Sequence, residues 1–103
     1  MNLIIKTILL IFSIYSYSLT VIDVRTPEEW KSGYLESAIN IEWQNITNIE
    51  SLVPKNEEIF LYCRSGNRSG KAAKILIEAG YINVINAGSI QEASKLLDIN
   101  IIN

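Results

Sequence analysis

At 103 residues and a formal charge of −2, the chain has room for one domain around one core. Nine Lys and Arg against eleven Asp and Glu leave no basic stripe to neutralise a phosphate backbone, so no nucleic-acid partner is expected. Histidine is absent, which removes imidazole as general base or metal ligand, and the single cysteine, Cys63, cannot close an internal disulfide.

The chain opens like a leader. Lys6 follows Met1, Thr7 to Tyr17 runs apolar, and Ser16 and Ser18 supply small residues before a cut. Residues 1–18 are expected to be a signal peptide and residues 19–103 the folded domain. An uncleaved N-terminal anchor is the alternative, although Leu3 to Leu19 is short for a span of about twenty residues. Leu19 to Val24, apolar and β-branched up to Asp23, reads as a buried strand. Thr26 then caps a short helix, with Pro27 in its first turn, Glu29 at the capping-box position and Gly33 as its stop. Ala38 to Ile41 reads as a second short strand. Thr47 to Leu52 repeats the capping pattern with Glu50, and Pro54 ends it.

Ile59 to Tyr62 forms the expected central strand, running straight into Cys63. Residues 70 to 79 predict a helix whose inner stripe is Ala72, Ala73, Leu76 and Ala79, with Gly80 behind it. Val84-Ile85 is another strand. Ser89 and Glu92 open a last helix facing the core with Ile90, Ala93, Leu96 and Leu97. Apolar strands alternating with short helices predict an α/β domain, a small parallel sheet with helices on both faces.

Cys63 stands where the central strand ends and a helix will begin, the edge of a parallel sheet where ligands bind. The residues after it, Arg64, Ser65, Gly66, Asn67, Arg68 and Ser69, are polar and doubly basic, not the apolar neighbours that burial alone would call for. Gly66 permits a tight turn, successive N–H groups can form an anion nest, and the following helix adds its positive end. A thiol there should ionise readily and act as a nucleophile. Asp23 and Arg25 end the first strand near the same edge, where Arg25 is expected to bridge to Glu28 or Glu29. Trp30 and Trp43 read as core or rim packing.

VIDVRTPEEW at 21–30, GYLESAINI at 33–41, YCRSGNRSGKAAKIL at 62–76 and GYINVINAGS at 80–89 together resemble the rhodanese family. The likeness is nearest to the small secreted single-domain rhodanese of the bacterial phage-shock system. The resemblance implies a small rhodanese-like fold with Cys63 as nucleophile and Arg64 to Arg68 completing a six-residue active loop. It implies a thiosulfate sulfurtransferase that holds sulfane sulfur as a Cys63 persulfide and passes it to cyanide, a small thiol or a thiol protein. No cofactor and no metal are implied. Asp23 and Arg25 match the family's structural pair, and Glu29 joins them as expected support. Three positions depart from the pattern: Tyr34 in place of histidine, Ser37 before Ala38 in place of glycine, and Ser89 in place of the second glycine after Asn86-Ala87.

Two alternatives remain open at this point, a persulfide carrier or redox relay for a protein partner, and a non-catalytic anion-binding module. The leader implies a periplasmic or otherwise extracytoplasmic home without stable membrane insertion once it is removed. N-terminal sequencing of protein from its native compartment is expected to find Leu19 at or near the start; an intact Met1 would favour the anchor.

Overall fold

The computed structural model describes residues 18–103, so the expected leader, Ser18 apart, lies outside the described residues. In chain order the elements are β1 (Leu19–Asp23), α1 (Pro27–Lys31), β2 (Tyr34–Leu35), β3 (Ile39–Asn40), a 3-10 segment (Trp43–Ser51), β4 (Glu58–Cys63), α2 (Asn67–Glu78), β5 (Val84–Ser89), α3 (Ile90–Leu97) and β6 (Ile101–Ile102). Four strands pair in parallel in the order β3-β1-β4-β5. After β1 the chain turns outward to β3 and then returns to the other side of β1 as β4. The order therefore reverses between β1 and β4, whose carboxyl ends carry Asp23 and Cys63.

Strand alternation distributes the core between two faces. Ile22, Val24, Ile59, Leu61 and Cys63 pack with Ile46 and Ile49 of the 3-10 segment and with Ala72, Ala73 and Leu76 of α2. Val21 and Tyr62, the intervening positions, pack on the other face with Leu35, Ile90 and Ala93. Helices thus cover both faces of the parallel sheet. Cys63 shares its face with Ile59 and Leu61, which directs its sulfur toward the start of α2. Among the described residues, no helix is long and apolar enough to cross a membrane.

Several elements differ from their expected bounds. The run expected at Thr47–Leu52 is a 3-10 segment from Trp43 to Ser51, so Thr47 lies inside it and caps nothing. Ile46 and Ile49 are its buried residues, and their three-residue spacing suits a helix in which such positions eclipse. Helix α2 begins at Asn67, ahead of the expected residue 70, because Gly66 takes φ 96° and turns the chain at once into the helix. Leu96, expected inward, is 60 % exposed; the eight-residue α3 presents Ile90 and Ala93 to the core with Leu97 packed beside them. Strand β5 extends to Ser89 past an irregularity between Leu61 and Tyr62 of its partner, Leu61 facing Asn86 but Tyr62 facing Gly88. The antiparallel pair β2–β6 was not foreseen; two-residue strands leave almost no periodic signal.

The three departures have local explanations. Tyr34 stacks on Trp30 with ring centroids 4.1 Å apart. Ser89 caps α3, accepting the Glu92 N–H at 3.1 Å while its own N–H donates to the Glu92 carboxylate, which a glycine cannot match. Ser37 sits at φ 72° and so keeps the left-handed backbone natural to glycine. That conformation costs a non-glycine residue about 1–2 kcal/mol, against about 0.4–1 kcal/mol that glycine adds to unfolded-chain entropy. Ser37→Gly is therefore expected to raise stability by about 0.5–1 kcal/mol in urea unfolding, with an unchanged m-value.

Candidate active site

Strand β4 delivers Cys63 to the sheet edge fully buried, and its sulfur is wrapped by the start of α2. The Gly66 N–H donates to Cys63 Sγ at 3.0 Å and the Ser69 N–H at 3.5 Å. The Ser69 hydroxyl lies 3.3 Å from the sulfur. Burial by itself raises the thiol's pKa. The Ser69 hydroxyl and the N–H groups of Ser69, Ser65 and Gly66 outweigh burial, and the net shift is downward. A thiol so placed ionises more readily than a free cysteine and becomes a stronger nucleophile at neutral pH.

The loop residues take distinct places. Arg64 and Ser65 are exposed, Gly66 turns the chain, Asn67 begins α2 facing solvent, and Ser69 is buried against the sulfur. Arg68 reaches back to α1: its Nη1 and Nη2 lie 2.7 and 3.0 Å from the two Glu29 carboxylate oxygens. The same carboxylate accepts the Thr26 N–H at 3.1 Å, completing the capping box of α1. Glu29 thus ties the first turn of α1 to that of α2.

Arg25 does not bridge to Glu28 or Glu29. Its Nε and Nη2 donate to the Asp23 carboxylate at 3.0 and 2.6 Å, and Nη2 also reaches the Gly33 carbonyl at 2.6 Å. Asp23 is wholly buried and carries a charge that needs a partner at short range, and the two-residue spacing within an extended chain puts both side chains on one face. The bridge to Gly33 fixes both ends of α1. Trp43 packs against the core with the Lys71 ammonium 5.1 Å from its ring centroid.

A cleft of about 300 Å³ opens beside the loop, lined by Arg25, Glu29, Ser32, Arg64, Ile90 and Gln91. Arg25 and Glu29 are neutralised by Asp23 and Arg68, whereas Arg64 makes no ion pair among the described residues. The cleft therefore presents uncompensated positive charge at Arg64, the first residue of the loop that follows Cys63.

Sequence reasoning passed over Ser32, Gln91 and above all Asn86, whose amide contacts the loop. An asparagine followed by Ala87-Gly88 inside a strand pattern was the available signal, since both Asn and Gly are disfavoured in strands and mark bulges.

Comparison with known proteins places the chain in a family. The Rhodanese-like domain family matches residues 13–95. The thiosulfate sulfurtransferase PspE of Escherichia coli (strain K12) is 41% identical over 73 residues, covering 69% of this chain and 70% of that protein. A sulfurtransferase of Allochromatium vinosum is 37% identical over 65 residues, covering 63% of this chain and 61% of that protein. Among solved structures, a rhodanese with anions from E. coli superposes with a TM-score of 0.73 at 31% identity, covering 84% of this chain and 99% of that one. A rhodanese-like domain protein from Staphylococcus aureus gives 0.64 at 31% identity over 78% of each chain.

The Arg68 guanidinium, opposed by partial burial and assisted by Thr26, holds the Glu29 carboxyl at about 2 against a usual 4.5. Because the folded value is the lower one, the stabilisation is complete above about pH 4.5 and is lost as pH falls toward 2. Glu29→Gln is expected to flatten that acid limb when denaturant stability is measured between pH 6 and 2.

Proposed function

The chain belongs to the rhodanese family and is a sulfurtransferase acting through its single cysteine, and from that premise we propose that thiosulfate is a donor and that cyanide or a thiol is the acceptor. The observation that carries this reading is the Cys63 sulfur at the mouth of β4, buried yet held by the Gly66 and Ser69 N–H groups.

In the first half-reaction the Cys63 thiolate attacks the outer sulfur of thiosulfate. A new S–S bond forms, the bond to the inner sulfur breaks, and sulfite leaves with its electron pair. In the second half-reaction the acceptor attacks the outer sulfur of the persulfide and the thiolate is the leaving group; with cyanide the product is thiocyanate. Each half-reaction passes through negative charge on sulfur, which fixed N–H donors stabilise without reorganisation. Arg64 in the cleft supplies attraction for the dianionic donor. Arg68 contributes through the loop: its bidentate pair with Glu29 holds the first turn of α2 in place.

Loop length favours sulfur over phosphoryl transfer. Six positions separate the nucleophile from the closing arginine inclusively, Cys63 to Arg68. The donors lie close against a single sulfur atom, whereas a phosphoryl group attached to that sulfur would need a wider bowl. The leader pattern at residues 1–18 supports an extracytoplasmic, periplasmic site of action.

Mass measurement of the purified protein after thiosulfate is expected to show one added sulfur, removed again by cyanide. Cys63→Ser is expected to take up no sulfur and transfer none while its unfolding midpoint stays near that of the parent, serine being close in size. Aryl phosphate hydrolysis exceeding sulfur transfer, and lost in the same variant, would overturn the proposal.

A further inference from the structure

Asn86 lies on β5, outside the loop that surrounds the sulfur, yet its amide binds the loop at two points. Nδ2 donates to the Gly66 carbonyl at 3.0 Å, and Oδ1 accepts the Ser69 hydroxyl at 2.7 Å and the Gly88 N–H at 3.0 Å. Both loop partners touch sulfur, Gly66 through its N–H at 3.0 Å and Ser69 through its hydroxyl at 3.3 Å. The register gives Asn86 its position. It faces Leu61, hence the α2 side of the sheet, and the irregularity that follows it bends β5 at this point. Gly70 leaves it room: a Cβ there would come within 3.2 Å of Asn86 Nδ2.

We propose that Asn86 is a positioning residue for sulfur transfer, clamping the Gly66 carbonyl and the Ser69 hydroxyl so that the loop donors converge on Cys63. The two bonds from Asn86 fix the Gly66 peptide plane and the Ser69 residue, so the Gly66 and Ser69 N–H groups stay aimed at Cys63 Sγ. The charged groups around the sulfur come from the other elements: Arg68 of α2 paired with Glu29 of α1, the Asp23–Arg25 pair ending β1, and Arg64 in the loop, exposed to solvent. From β5 come only the neutral Asn86 and Ser89, and the Glu92 carboxylate of α3 is engaged by the Ser89 N–H.

The inference rests on Cys63 as the reacting group, but a titration of the thiolate needs no turnover, so a failed clamp and a failed sulfurtransferase are distinguishable. Thiolate absorbance near 240 nm is followed against pH in the parent, Asn86→Ala, Ser69→Ala and the double variant. Each single change is expected to raise the Cys63 midpoint by about one pH unit, the scale of one hydrogen bond to a charged group. The double variant is expected to exceed the larger single shift by little, and the acidic limb of kcat/KM should move with the midpoint. Asn86 is exposed, so its truncation opens no buried cavity. Should Asn86→Ala not fold, the uncharged and near-isosteric Asn86→Leu, which removes both the donor to Gly66 and the acceptor for Ser69, serves instead with the same expected direction. An unchanged midpoint beside a lowered Tm would reduce Asn86 to a structural residue, and full additivity with Ser69→Ala would break the coupling; either result overturns the proposal.

Discussion

A sulfur atom that must bear negative charge while shielded from water is the constraint around which this small domain is arranged. Ionised groups removed from solvent are costly unless the protein supplies donors in place of water. Here the replacements are backbone N–H groups at Gly66 and Ser69 together with one hydroxyl, all delivered by a single turn at the start of α2. Backbone donors suit the task because they are fixed by the helix and the strand junction, and they stay in place whether the sulfur is thiol, thiolate or persulfide. The parallel sheet contributes the one position where a buried strand ends against a helix N-terminus.

Two ion pairs then hold the surroundings, and they differ in kind. Asp23 and Arg25 are buried together, and breaking such a pair by removing one partner costs about 3–5 kcal/mol because the other charge is stranded. With its bridge to the Gly33 carbonyl, this pair anchors both ends of α1. Glu29 and Arg68 remain about a quarter exposed, with side chains at 27 and 28 %, where water already screens the pair. Its value is geometric: a bidentate contact aligns two helix starts that would otherwise be joined only through the sheet. The first pair therefore governs whether this edge is built, and the second how closely the loop is held.

Much of this was legible in the chain. The capping boxes at Thr26–Glu29 and Ser89–Glu92 involve residues three apart, so short-range chemistry specifies them. The alternation from Val21 to Val24 and from Ile59 to Cys63 assigns each side chain to a face. Expectation failed where long-range contacts set the outcome. The segment from Trp43 to Ser51 took a 3-10 form under a core that seats Ile46 and Ile49, and Leu96 turned outward because the inner face of α3 was already filled by Ile90, Ala93 and Leu97.

By itself the sequence determined the α/β class, the strand that ends in Cys63, and the polar loop that follows, because these depend on periodicity, turn chemistry and residue order. Only the tertiary structure decided that Arg25 pairs with Asp23, that Glu29 meets Arg68, and that Asn86 reaches from β5 to hold Gly66 and Ser69. Glu29 is 39 residues from Arg68, and Asn86 is 20 from Gly66 and 17 from Ser69. Side chains so far apart along the chain meet only once strand order, register and one bulge have brought their elements together, and no local pattern encodes the order or the register.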